Sequence, residues 1–420
     1  MYRRLLLKLR VLGMTLAALA VSASLPAWGA SVIMMKDADL AASADLVVVA
    51  HSLGTVPAPD PEMTVTDYQM AVERVLKGTP DDAVIRVRVP GGVSSTGALS
   101  KVWGAPEFAD GEELILFLNR TGDGVYGPAQ LVLGGFHKKS VQGRAVAVRD
   151  LSEVDVLNES SPEAKQEQQQ VRDFERFANW LAGLGAGHAP TAQDYLFHAE
   201  HAEKEAMPVP MYTLINGSRN RLRWFDFGEG KPILWRMTPG PFPGSSTSGH
   251  LMLRTALNAW DAAPLSIIKY RFAGTAIAMA GHSRADGKNV VLFNDPRNDI
   301  PGRYDCQHGG TIATGGITNA QGTGNFAGKT YYRITEADVV VQDGVGCIFK
   351  NNKNPDLLIQ EVLAHELGHT LGLGHSSENP AEIRPRLHNA LMYYSADNGR
   401  GAGLRLDDIL GAHALYHLGF

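Results

Sequence analysis

The sequence predicts an α+β chain in three parts: a β-rich N-terminal domain over 31–156, a helical connector over 157–210 and a mixed domain over 211–420. Three observations carry this expectation. Short apolar runs divided by turn residues fill the first part, and Glu, Gln, Ala and Lys dominate the second. The third alternates strand-like runs with helical periodicity around a histidine-rich motif.

Residues 1–30 stand apart from these domains. Arg3, Arg4, Lys8 and Arg10 precede an apolar run from Val11 to about Ala23, and Ala27-Trp28-Gly29-Ala30 supplies small residues for cleavage. This is the pattern of a secretory signal peptide cut near Gly29 or Ala30, which places the mature chain in a secreted or periplasmic setting. A stable membrane anchor needs about 20 apolar residues, and this core is shorter and breaks at Pro26. Tyr2-Arg3-Arg4-Leu5-Leu6-Leu7-Lys8 also resembles a twin-arginine export signal, without the Ser or Thr before the arginines, so the route stays open.

With 39 Lys and Arg against 44 Asp and Glu, the net charge is -5, so no global basic field attracts nucleic acid or anionic lipid. The two cysteines, Cys306 and Cys347, fall outside metal-type CxxC spacing and in an oxidising compartment are expected to form a disulfide.

In the first domain, Leu46 to Ala50, Val84 to Val89, Glu113 to Leu118, Leu131 to Leu133 and Ala145 to Val148 read as strands. Ile85-Arg86-Val87-Arg88-Val89 alternates cleanly between Lys77-Gly78-Thr79-Pro80-Asp81 and Pro90-Gly91-Gly92. A small antiparallel barrel or sandwich follows, with no catalytic constellation: His51 and His137 are isolated. In the connector, Ser161-Pro162 suits a helix start, and Phe174, Phe177, Trp180 and Leu181 share a helical face. His198 and His201 lie three apart, but without further ligands they read as part of a solvated helix.

The last domain offers strands at Leu222 to Phe225 and Pro232 to Trp235, then a helix marked by Leu253, Leu257 and Trp260. Strands return at Ile267 to Phe272, Val290 to Phe293 and Tyr332 to Gln342, with a glycine-rich loop expected over Gly309 to Gly328. Asn354-Pro355 then opens another helix, proline standing where a missing N–H costs nothing.

That helix carries His365-Glu366-Leu367-Gly368-His369, followed by Thr370-Leu371-Gly372-Leu373-Gly374-His375. Histidines four apart project from one face and can share a metal ion. Gly372 can take a positive φ, end the helix and swing His375 back as a third ligand. Zinc suits three imidazoles, leaving one position for water whose pKa falls toward about 7, and Glu366 stands beside it as general base. A bare HExxH arises by chance in ordinary helices; Gly372, His375 and the later Met392 add constraints that chance does not supply.

The extended motif and Met392, within Ala390-Leu391-Met392-Tyr393-Tyr394, resemble the metzincin metallopeptidases, and most closely the matrixins. That resemblance implies His365, His369 and His375 as zinc ligands, Glu366 as base and Met392 as the turn beneath the metal. Leu406-Asp407-Asp408-Ile409 with Leu415-Tyr416 resembles the final helix of such domains, so the likeness runs from about Tyr212 to Phe420. It implies a mixed twisted sheet with three helices and an edge strand that holds extended protein or peptide substrate. Glu336-Ala337-Asp338-Val339-Val340-Val341 is the candidate edge, an interior strand being the alternative.

Tyr394 occupies the position of a metal-proximal tyrosine in other metzincins, where it would bond an oxyanion; a packing role is the alternative. Matrixin latency uses a propeptide cysteine on zinc, yet no cysteine precedes Cys306. His282 and His308 look isolated, and Asp295, Asp299 and Asp305 are possible but unsupported calcium ligands. The leading expectation is a secreted zinc endopeptidase; the alternative is a zinc-retaining binding or adhesion protein without peptidase activity. Oligomeric state, cleavage preference and the role of the β-domain are not written in these residues.

Overall fold

The computed structural model describes residues 30–122, 124–141, 143–151, 154–156, 171–188, 193–197, 221–277, 279–377, 382–396 and 399–417. The expected leader, Ser161-Pro162, His198 and His201 lie outside the described residues. Among the described residues, seven α-helices and two sheets of nine and ten strands make the chain α+β. No helix among them is long and apolar enough to cross a membrane.

The nine-stranded sheet lies in the first half of the chain. Its strand Leu46–Val56 opens with five consecutive buried residues because both faces are covered. Leu46, Val48 and Ala50 enter one apolar cluster and Val47 and Val49 another, as alternation along a strand requires. Tyr126–Pro128 pairs with both Val84–Pro90 and Glu113–Arg120, so five strands close into a barrel around Val48, Met70, Val87 and Leu116. The helix Phe174–Gly185, capped by the Asp173 side chain on the Arg176 N–H, lays Phe174, Phe177, Trp180 and Leu181 on the outer face. The apolar face read as part of a connector is therefore packed core of this sheet.

Leu131 to Leu133 departs from expectation by forming a 3-10 turn, Leu131–Gly134, instead of a strand. Gln130 and Leu131 both have positive φ (55° and 56°), and the Gln130 amide spans to the other half, receiving the Thr311 N–H at 2.8 Å and donating to the Arg303 carbonyl at 3.0 Å. These tertiary bonds override the strand preference of the apolar run.

In the ten-stranded sheet, Tyr270–Thr275, Ile233–Met237, Asn289–Phe293 and Lys329–Val341 lie side by side in parallel, and Gly310–Phe326 follows antiparallel. The helices Gly249–Asp261 and Pro355–Thr370 pack together, joined by the Trp260 indole N–H on the Ala364 carbonyl at 2.7 Å. Two expectations are corrected here. Glu336 to Val341 belongs to an interior strand, paired on both sides, and the supposed glycine-rich loop is the long strand Gly310–Phe326. Glycine serves close approach in that strand: a Cβ on Gly315 would stand 2.5 Å from the Glu366 carbonyl oxygen, and one on Gly324 would stand 2.5 Å from the Phe225 ring.

Leu222–Arg223 adds a short parallel pairing with Lys329–Val341, and the other remaining strands of this sheet come from the first half of the chain. Ala30–Ile33 and Leu99–Val102 both pair antiparallel with Gly310–Phe326, and Val154–Val156 runs parallel beyond Ala30–Ile33.

Cys306 and Cys347, 41 positions apart in sequence, form the expected disulfide, with Cα atoms 6.1 Å apart. The loop-entropy model gives such a link roughly 4 kcal/mol. Replacing both cysteines by serine should lower the unfolding free energy by about 2–4 kcal/mol in a denaturant titration.

Candidate metal centre

The helix Pro355–Thr370 begins with Pro at its first turn, and Asp356 there receives the Ser245 and Thr247 hydroxyls at 2.9 and 2.8 Å. Nearly every residue from Leu358 to Thr370 is buried. A helix apolar around its circumference belongs inside the core, and this one runs between sheet and neighbouring helix. Its end follows from Gly372 at φ +93°: the Gly372 N–H bonds the His369 carbonyl at 2.9 Å and the Leu373 N–H bonds the Gly368 carbonyl at 3.2 Å. This pair of bonds is the Schellman motif. A Cβ on Gly372 would also lie 2.8 Å from the Leu222 carbonyl oxygen. Gly372→Ala should therefore cost about 1–3 kcal/mol of stability, read by chemical denaturation.

The turn brings His375 back beside the helix. The Nε2 atoms of His365 and His375 are 2.9 Å apart, as are those of His369 and His365, and all three rings are buried. His365 Nδ1 faces the Leu391 carbonyl at 2.9 Å and His369 Nδ1 faces the Leu373 carbonyl at 2.8 Å. A carbonyl only accepts, so each Nδ1 carries the proton and each Nε2 presents a lone pair. Lone pairs facing one another at this distance repel, and a cation between them removes the repulsion. Tetrahedral zinc with nitrogen at about 2.0–2.1 Å places ligand atoms roughly 3.3 Å apart, close to this spacing. Burial holds His365 and His369 well below the usual imidazole range and His375 at about 3, the neutral form that ligation requires. The residues fit zinc.

Glu366 lies on the same helix, fully buried. One carboxylate oxygen receives the Ser31 hydroxyl at 2.5 Å and the other the Gly315 N–H at 2.6 Å. Burial raises its pKa to about 8, against the opposing hydrogen bonds from Ser31 and Gly315. Trp103 is stacked on His369, with ring centroids 5.4 Å apart and planes inclined by 16°.

Met392 lies beneath the helix. A Cβ on Gly368 would stand 2.3 Å from the Met392 sulphur and 2.7 Å from the Trp260 indole, so only glycine fits this motif position. Asp408, buried at the start of the final helix Leu406–Tyr416, receives the Leu391, Met392 and Arg405 N–H groups at 2.8, 2.9 and 2.7 Å. It thereby fixes the turn whose Leu391 carbonyl orients His365.

Residues 252–417 match the family model described as Matrixin. This segment is a matrixin-like metzincin domain. Over 166 residues, 39% of this chain, it is 28% identical to a protein named Matrilysin from Rattus norvegicus. The chain spans about half the length of that curated relative, 49% of which is covered.

Within the matrixin-like domain, Tyr394 is half-buried, its ring edge-on to Tyr393 at 4.8 Å, and it packs against the apolar cluster of the N-terminal sheet. His282 is fully buried, with its backbone N–H on Asp299 and Nε2 facing the Thr314 carbonyl at 3.1 Å. Asp295 receives the Asp299 and Ile300 N–H groups, and Asp305 those of Gln307 and His308. These acids cap turns of their own loops. Among the described residues, the histidine trio is the group whose ligand atoms converge.

Sequence reasoning missed Ser31, Trp103, Gly315 and Asp408. Asp408 alone had a signal, as an acid in the first turn of a recognisable helix. Ser31 and Trp103, which reach the site from more than 200 residues away, and Gly315, 51 residues from Glu366, had none.

Proposed function

We propose that this chain is a zinc-dependent endopeptidase, exported after loss of its leader, that hydrolyses peptide bonds in extended protein or peptide substrates. The observation that carries the reading is the convergence of three buried imidazole Nε2 atoms beside the buried Glu366 carboxyl on the same helix. A zinc ion held by His365, His369 and His375 would supply a Lewis acid that acidifies water and polarises a carbonyl. Glu366 takes the proton from the attacking water and delivers it to the leaving amine. The N–H groups of Leu391 and Met392, held by Asp408, keep the loop beneath His365 in place while this happens. Tyr394 is proposed as a supporting hydroxyl for the developing oxyanion; Tyr394→Phe with unchanged turnover would remove that role.

The matrixin resemblance supports one catalytic zinc; calcium stays without support, since Asp295 and Asp305 are taken up by turns of their own loops. The enclosure of the site favours the second reading, a zinc-retaining binding protein. The two are separated by zinc content and chelator-sensitive cleavage of a peptide library, measured on the exported protein and again after limited proteolysis. Chelator-sensitive cleavage in either state supports the peptidase. About one zinc per chain with no cleavage in both states moves the assignment to the binding protein.

A further inference from the structure

Two segments of the N-terminal half lie end to end along the Gly310–Phe326 strand. Leu99, Lys101 and Val102 pair with Ala320, Ile317 and Gly316, and Ala30, Ser31, Val32 and Ile33 pair with Thr314, Ala313, Thr311 and Gly310. Both segments run antiparallel to that strand, hence in one direction, with the end of the first beside the start of the second. Trp103 closes the first segment: its N–H reaches the Gly315 carbonyl at 3.3 Å and its carbonyl receives the Thr314 hydroxyl at 2.6 Å. The junction falls at Thr314-Gly315, where Glu366 receives the Gly315 N–H and the Ser31 hydroxyl.

We propose that the N-terminal β-domain is a strand-inserting inhibitor of the peptidase site, with Leu99–Trp103 and Ala30–Ile33 filling the substrate's place on either side of Glu366. This rests on the peptidase reading above.

An extended peptide binds a sheet edge through main-chain hydrogen bonds, whatever its sequence. Here those bonds are already made by the chain itself. Because Trp103 and Ala30 are not consecutive, no peptide bond joins the segments at the junction, so they mimic a substrate interrupted beside the catalytic carboxylate. The insert is gripped from both sides: Ile33 and Trp103 enter the core of the matrixin-like domain, while Val32 and Met34 enter the core of the β-domain. Tethering gives the insert a high effective concentration, against which a free peptide competes poorly. Latency thus needs no propeptide cysteine.

The test uses zinc-loaded full-length exported protein, as wild type, Ser31→Glu and Trp103→Ala. Ser31→Glu sets a second carboxylate against Glu366; Trp103→Ala removes the ring over His369. Folding is checked by thermal melting and zinc content. Three quantities are then read: amide hydrogen exchange over 311–317, affinity for a zinc-chelating peptide hydroxamate, and hydrolysis of a quenched fluorescent peptide. Wild type should protect these amides and bind the hydroxamate weakly. A folded variant should exchange there and bind the probe about tenfold better or more, and hydrolyse peptide correspondingly faster. Tight hydroxamate binding by wild type, with unprotected amides, overturns the inhibitor, and this holds even where both variants fail to fold. So does a folded variant with unchanged exchange and affinity. A variant that opens and binds the probe yet hydrolyses nothing leaves the inhibitor standing and removes the peptidase reading.

Discussion

Glu366→Gln is expected to keep one zinc per chain and to lose peptide hydrolysis by about a hundred- to ten-thousandfold, the range for removing a general acid–base. The substitution preserves shape and leaves the three histidine ligands intact. What it removes is the carboxyl beside the three imidazoles, the group that takes and returns the proton. The comparison is best made in the Ser31→Glu background, where the inserted strand no longer masks activity. Zinc content is read by metal analysis and turnover on a quenched peptide. Full activity in Glu366→Gln would sink the mechanism; loss of zinc together with activity would show that Glu366 supports the site structurally.

Asp408→Ala is expected to have the largest effect on stability. The carboxylate is buried and receives three backbone N–H groups, from Leu391, Met392 and Arg405. Removing it strands all three donors, each at a cost of about 1–3 kcal/mol, so a loss of roughly 3–5 kcal/mol is predicted by denaturant titration. Zinc affinity should fall as well, by about 10–100-fold, because the Leu391 carbonyl that orients His365 belongs to the same turn. Asp407, its neighbour, bonds the Arg386 guanidinium at 3.0 Å and is not joined to the turn in this way. Asp407→Ala should therefore leave zinc affinity largely unchanged, and an equal loss in both variants would contradict the assigned path.

The matrixin-like centre was legible because its chemistry is local. Four-residue spacing on a helix, one glycine at a positive φ and a third histidine a few residues on are consequences of short-range geometry. The structure brings His365, His369 and His375 together by that route. The long strand Gly310–Phe326 was illegible for the opposite reason. Its glycines, normally loop signals, are there because Glu366 and Phe225 press against the strand, and that pressure exists only once the chain is folded. The Leu131–Gly134 turn failed likewise, its conformation set by bonds from Gln130 to Arg303 and Thr311. Ser31 carried no signal at all: a lone serine near the start of the chain gives no hint that it will meet a glutamate 335 positions later.

Zinc-edge X-ray absorption on the purified protein tests the central claim most directly. The arrangement of His365, His369 and His375 predicts about one zinc per chain with three imidazole nitrogens at about 2.0–2.1 Å. A chain that binds no zinc, or a zinc shell lacking the three imidazoles, would contradict it.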